Sequence, residues 1–234
     1  MTNILDIIIK HKLSEVAESK KNKPIQNLIA TAKKKSDKSR FIECLLNTQR
    51  KNLPALIAEC KKGSPSRDII VKNYNPVEIA GIYQTHKASA ISVLTDSKFF
   101  YGRKEHIQQI KEVVSLPILR KDFIIDSYQI PETKALGADC ILLIAACLSK
   151  KQIKDFLLES SDYGLDALIE VHTEKELENV LSLNHKLIGI NNRNLKEFRT
   201  DISNSIKLKK LIPDSVLVVS ESGLSKRNHI ERLE

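Results

Sequence analysis

The sequence predicts an α/β fold: a parallel sheet wound into a (β/α)8-type barrel, preceded by a helical extension. Three observations predict it. From Ala55 onward, apolar runs of strand length alternate with helical patterns, which implies βαβ units with right-handed crossovers. The runs are continuously apolar, as in parallel strands buried on both faces. Nearly every run also stops at a charged or amide residue, at Glu59-Cys60-Lys61, Thr95-Asp96, Arg120-Lys121-Asp122, Glu170, Asn191-Asn192-Arg193 and Ser220-Glu221-Ser222. Barrel strands end on one common rim, where such folds place chemistry. An open doubly wound sheet would normally show a glycine-rich first turn, and no glycine precedes Gly63.

Taken in order, residues 1–50 read as helices, with Leu5, Ile8, Ile9, Leu13 and Val16 at helical spacing and breaks near Pro24 and Ser36-Asp37. They form an expected N-terminal extension, with a barrel domain over 51–234. Strands are expected near 55–60, 89–94, 117–120, 139–145, 166–170, 186–190 and 215–219. Helices are expected near 76–86, 103–114, 127–136, 149–160, 173–182, 201–210 and 224–233. Asn75-Pro76 is a helix start, and Thr173 with Glu176 has the spacing of a capping box. That makes seven units, so the eighth is expected to be missing before Glu234, leaving two strands with open edges.

Composition narrows the function classes. The chain of 234 residues is 41% hydrophobic and 29% charged, ordinary for a globular protein with a real core. No apolar run approaches the roughly 18–20 residues of a membrane span, and the start lacks a cleavable signal pattern, so no membrane partner is expected. Cys44, Cys60, Cys140 and Cys147 show no CxxC and no histidine pairing, which points to free thiols, no metal and a reducing cytoplasm. Six of the nine excess positive charges lie in residues 1–40, around Lys33-Lys34-Lys35, Lys38 and Arg40. Without interleaved aromatics or a binding motif, this reads as a solvated surface and not a nucleic-acid site.

The strand tips carry the candidate chemistry. Glu59 and Lys61 are two apart, so on a strand they face one way, into the barrel mouth. Lys121 can bind an anion or donate a proton. Glu170 sits among apolar neighbours, which raises a carboxyl pKa unless it is paired and suits acid–base work. Asn191 and Arg193 can orient a carboxylate or hydroxyls. Ser222-Gly223, read as the turn before the last helix, offers backbone amides to a phosphate. The run Cys140–Ala146 stays apolar to its end and can wall an aromatic group, with ordinary core as the default. His172 is read as loop or helix cap, without a role.

The motifs IAECKKGSPS, ISVLTD with FFYG, LPILRKDFIID, ALIEVHT, IGINNRNL and VVSESGL closely resemble indole-3-glycerol phosphate synthase of tryptophan biosynthesis, across nearly the whole chain. The resemblance implies a TIM barrel that closes an indole ring from 1-(2-carboxyphenylamino)-1-deoxyribulose 5-phosphate, releasing CO2 and water without metal or organic cofactor. It implies a small phosphorylated substrate, and other enzymes of the tryptophan pathway as candidate partners. By resemblance, Lys121 is the general acid and Glu170 the acid–base group, mainly in the dehydration. Glu59, Lys61 and Asn191 line the reacting centre, with Lys61 also near the phosphate. Ser64, Glu221, Ser222 and Gly223 contact substrate or phosphate, Arg193 the anthranilate part, and Phe123 and Leu142 form the aromatic pocket.

Two departures stand out. The family usually has glycine two residues after Ser-Pro-Ser, where this chain has Asp68. The missing eighth unit would bring half of the phosphate site, so weak or absent activity is expected of the isolated chain, as in a truncated barrel. A related phosphosugar barrel such as phosphoribosylanthranilate isomerase is the alternative enzyme, but its cysteine–aspartate pair is replaced here by Glu-Cys-Lys. A non-catalytic scaffold would have no need for the set Glu59, Lys61, Lys121, Glu170 and Asn191.

Overall fold

A computed structural model describes residues 4–34, 39–51, 53–194 and 199–233. Three helices come first: α1 (Ile4–Asn22), α2 (Ile25–Lys34) and α3 (Phe41–Gln49). Then follow β1 (Ile57–Cys60), a small hairpin of β2 (Gly63–Ser64) and β3 (Asp68–Ile69), and α4 (Pro76–Thr85). Next come β4 (Ala90–Leu94), α5 (Ser97–Phe100), α6 (Glu105–Lys111), β5 (Ile118–Lys121), α7 (Gln129–Leu136) and β6 (Cys140–Ile144). The chain continues through α8 (Lys150–Asp162), β7 (Asp166–Val171), α9 (Glu174–Leu181), β8 (Leu187–Asn191), α10 (Ser203–Lys209), β9 (Leu217–Glu221) and α11 (Arg227–Glu231).

Seven of the strands form one parallel sheet in the order β1-β4-β5-β6-β7-β8-β9, with β1 and β9 at its edges. All seven match the expected runs. The sheet is strongly curled. Flat strands lie about 4.8 Å apart, so β5 and β9, four spacings apart, would be separated by roughly 19 Å. Yet the Lys121 ammonium on β5 lies 2.9 Å from Glu221 on β9 and 3.0 Å from Glu59 on β1. The two sheet edges thus converge over one central strand, as in a barrel wall.

The concave side is filled by Ala90, Leu119, Cys140, Leu142, Ile144, Leu168 and Leu187, with Phe41 and Leu45 of α3 packed among them. Ala90, Cys140 and Leu187 lie at or near strand beginnings, so α3 closes the bottom of the barrel. On the convex side, Ile141, Leu143, Ile169, Ile188 and Ile190 pack against helix residues such as Ile153, Leu177 and Leu208. The alternation of the two sets along each strand is the period-2 pattern of the pleat.

Helix α1 runs along the opposite end of the barrel. Its first turns face Ala146 and Cys147, just beyond β6, across a cavity of about 340 Å³. Lys12 is fully buried and pairs with Asp96 and Asp122, each at 2.9 Å, and with Glu15 at 2.8 Å. Farther along, the Tyr128 hydroxyl donates to the Ser19 and Lys23 carbonyls at 2.9 and 2.8 Å.

Several expectations are corrected here. Six polar strand tips do not all converge on the rim, because Asp96 is taken up by Lys12 of α1, and Thr95, Arg120 and Asp122 face the convex side. There Arg120, fully buried, reaches Asp122 at 3.0 Å and Glu132 at 2.8 Å, while Thr95 donates to Asp122 at 2.6 Å. The last strand extends to Glu221 because Asn191 on β8 pairs with it in register. The segment after the first strand folds into the β2–β3 hairpin, and Asp68, at the expected glycine position, takes φ 49° as the first residue of β3, just after the turn. Its side chain accepts from the Tyr101 hydroxyl, which anchors that turn. Cys60 and Cys140 are buried, Cys44 and Cys147 are partly buried, and all four cysteines are free. Lys33, Lys34, Lys35 and Lys38 of the basic cluster have side chains outside the described residues; Arg40 is exposed. No described helix is long and apolar enough to cross a membrane.

Candidate active site

The strand alternation that sends Arg120 and Asp122 outward turns Lys121 into the barrel mouth. Two carboxylates hold its ammonium, Glu59 Oε2 at 3.0 Å and Glu221 Oε2 at 2.9 Å. Burial alone would lower the Lys121 pKa, but Glu221, Glu59 and Glu170 outweigh it and hold the pKa well above the usual lysine value. The side chain is a fixed positive charge, 22% exposed, at the centre of the rim.

Glu59 also pairs with Lys61 through its other oxygen, so Glu59 of β1 and Lys61 just beyond its end do face the same way. Burial would push the Glu59 carboxyl up, but Lys121 and Lys61 bring it down to about 2. Glu170 behaves in the opposite way. It is buried near the end of β7, and burial together with the Glu221 charge raises its pKa to about 7. His172, Lys121 and a hydrogen bond from Asn191 oppose that rise without cancelling it. The rim therefore carries a permanently ionised carboxylate at Glu59 and a proton-exchanging one at Glu170. Environments that push two acids apart in this way mark acid–base assignments.

Asn191 ends β8, and its side-chain oxygen accepts from the Arg193 backbone N–H at 3.0 Å. Arg193 forms an antiparallel bridge with Thr200. Phe123 is half-buried, its ring 6.1 Å from that of Phe100. Leu142 lies beneath, 1% exposed within the inner core, with Phe123 packed on the same cluster. Ser64 sits in β2, its hydroxyl 3.4 Å from that of Ser66. Lys121, Glu59, Lys61, Glu170, Asn191 and Glu221 are thus gathered at the centre, and Phe123 and Leu142 at the wall and floor.

The Ser222-Gly223 expectation needs correction. Both residues lie in the left-handed region, φ 67° and 79°, but the following helix begins only at Arg227 and has five residues. The pair is a tight turn after β9, not the N-terminal turn of a helix. Its position is set by Asn192, whose Nδ2 donates to the Ser222 carbonyl at 3.1 Å and to Ser220 Oγ at 3.0 Å.

The sequence reading also missed two residues at this site. Gly189 on β8 read only as part of an apolar run, yet a Cβ there would collide with Glu221 Oε1. Its lack of a side chain makes room for that carboxylate. His172 is the other: it lies 3.3 Å from Glu170, a contact that its spacing of two from Glu170 on β7 could have suggested.

The family model for indole-3-glycerol phosphate synthase matches residues 5–234. The chain belongs to that family. An indole-3-glycerol phosphate synthase from Legionella pneumophila (strain Paris) is 46% identical over 234 residues, covering 100% of this chain and 89% of the relative. One from Chlorobium chlorochromatii is 44% identical over 227 residues, covering 97% of this chain and 88% of the relative. Among solved structures, an N-acetylmannosamine-6-phosphate 2-epimerase from Clostridium perfringens superposes with a TM-score of 0.57 over 76% of this chain and 81% of its own. At 15% identity it shares the fold alone.

Proposed function

We propose that this rim performs the family's reaction, the carboxy-lyase step of tryptophan biosynthesis that makes indole-3-glycerol phosphate from a phosphorylated ribulose substrate. The observation that carries the reading is the Lys121 ammonium, held between Glu59 and Glu221 beside a carboxyl that exchanges protons near pH 7.

Ring closure begins when an aromatic carbon of the anthranilate part attacks the ribulose carbonyl carbon. The carbonyl oxygen gains negative charge, and Lys121 offsets that charge and delivers a proton to it. A fixed ammonium in a dry site supplies most where charge develops. The carboxylate on the attacked ring carbon then leaves as CO2, and its bonding electrons restore the aromatic ring. The hydroxyl made in the first step leaves as water while the adjacent carbon gives up a proton. Glu170, able to hold and release a proton near neutral pH, serves this dehydration. Asn191 and Glu59 fix the two proton-handling groups.

The remaining roles follow chemical type. Lys61, Ser64, Ser222 and Gly223 surround the phosphate end, Arg193 meets the anthranilate carboxylate, and Phe123 over Leu142 receives the aromatic ring. Four free cysteines fit a reducing, cytoplasmic setting. The test is an indole-fluorescence assay with the carboxyphenylamino-deoxyribulose phosphate. Product formed by the wild type and lost in both Lys121→Met and Glu170→Gln supports the assignment; wild-type rates in both variants refute it.

A further inference from the structure

Glu170 is useful only if its proton can leave again, and much of its surroundings resists that. Burial and the Glu221 charge favour the protonated form; Lys121, Asn191 and His172 work against them. Of these three, His172 has no part in the reaction as described, and its placement is specific.

Glu170 and His172 emerge on one side of the chain at the end of β7. The His172 ring is buried, with Nε2 3.3 Å from Glu170 Oε1 and Nδ1 3.5 Å from Glu176 Oε2. These are ion contacts longer than aligned hydrogen bonds, and neither ring nitrogen has a hydrogen-bond partner among the described residues. Glu176 is itself fixed. Its Oε2 accepts from the His172 backbone N–H at 2.7 Å, and its own N–H donates to Thr173 Oγ1 at 3.3 Å. The expected capping box is therefore shifted, since the Glu176 carboxylate returns to the residue before Thr173.

The His172 carbonyl accepts from Asn204 Nδ2 at 3.2 Å, so both backbone groups of His172 are held without its ring. The turn does not need an imidazole. A buried imidazole between two carboxylates is instead suited to carrying charge. Burial lowers the His172 pKa, but Glu176, Glu170 and Glu221 together raise it above the usual value. The other titratable group nearby, Cys147 beyond β6, has its thiol pushed up to about 12 by burial and stays neutral. Lys121 of β5 faces Glu170 as the second cation.

We infer that His172, clamped by Glu176, is a positioning residue for this reaction: its imidazolium fixes the Oε1 side of Glu170 and stabilises the ionised carboxylate so that the proton can leave. The inference rests on Glu170 being the acid–base group proposed above.

The test compares kcat and KM against pH for the wild type, His172→Asn, Glu176→Gln and Glu170→Gln. Removing an opposing charge at this range moves a carboxyl pKa by about one unit or more. In His172→Asn the kcat inflection belonging to Glu170 moves that far toward higher pH, whether Glu170 acts as base or acid, while KM stays within about twofold. Glu176→Gln keeps an acceptor for the His172 N–H but loses its charge, and shifts the inflection the same way by less. An unmoved inflection, or a kcat lowered evenly at all pH values, overturns the inference.

If His172→Asn does not fold, Glu176→Gln and an NMR titration of the wild-type His172 ring decide. A ring protonated at pH 7 supports the inference, and a neutral one overturns it. Glu170→Gln separates the two levels. If that variant keeps wild-type kcat, the Glu170 assignment fails and takes the inference with it. If it is inactive while His172→Asn leaves the profile unmoved, the inference alone fails.

Discussion

Lys121 and Glu221 meet at 2.9 Å although their strands are separated by three others in the sheet. Because Glu59 reaches the same ammonium from β1, one lysine ties the first and last strands of the described sheet to its interior. Two carboxylates 3 Å from an ammonium in a partly dry cleft hold it charged and in place. Such a cation is ready to meet an oxygen that gains charge, without reorganising first.

Removing that ammonium leaves Glu59 and Glu221 facing each other with no cation between them. Lys121→Met is expected to lower kcat by about 10²–10⁴-fold, the range for losing a positioned acid or charge stabiliser. Indole fluorescence measures it. A kcat within about threefold of the wild type would place the acid elsewhere.

Glu170 links chemistry to stability with a definite sign. A carboxyl whose folded pKa is raised binds its proton more tightly folded than unfolded. The stability this contributes is complete below the ordinary value of 4.5 and is lost as pH rises toward about 7. Wild type should therefore lose stability relative to Glu170→Gln between about pH 5 and pH 8, by on the order of 3 kcal/mol. Urea unfolding of both proteins at the two pH values checks it; an equal difference at both would contradict the raised pKa.

The strand runs were legible because parallel strands covered on both faces must be continuously apolar. The chemistry at their tips was legible because spacing of two keeps Glu59 with Lys61 on one face. What the sequence could not show was which tip residues point outward. Asp96, Arg120 and Asp122 look like rim residues, but Asp96 and Asp122 hold Lys12 while Arg120 reaches Asp122 and Glu132, and Lys12 sits on a mixed-charge helix where it reads as solvated. Only the folded path of α1, more than eighty residues away in sequence, converts it into a buried cation. Gly189 was hidden for the same reason, since its purpose appears only once Glu221 is in place on the neighbouring strand.

Gly189→Ala puts a methyl group where Glu221 Oε1 lies, and backbone on β8 cannot yield as easily as that side chain. Glu221 should shift away from Lys121, lowering kcat by about tenfold, or about 1.4 kcal/mol of transition-state stabilisation. The decisive comparison is the Glu221→Ala background, in which the colliding oxygen is gone. There, Gly189→Ala should cost much less, because neighbours that share a contact are not additive. Equal effects in both backgrounds would show that Gly189 acts independently of Glu221.

Lys12 provides the last prediction. It is fully buried, and burial would lower its pKa, but Asp122, Asp96 and Glu15 hold it raised. Asp122 in turn is pushed up by burial and brought well below its ordinary 3.8 by Lys12 and Arg120. Lys12→Met removes one partner and leaves two buried carboxylates short of a cation, a loss of about 3–5 kcal/mol when such a pair is broken. A depressed carboxyl contributes stability that is complete above 3.8 and is lost as pH falls below it. Lys12→Met should therefore unfold at distinctly lower temperature than wild type at pH 7, and the gap should narrow as pH falls below about 4. A gap that stays constant through that range would mean that packing of the lysine stem, not its charge, secures α1 against the barrel mouth.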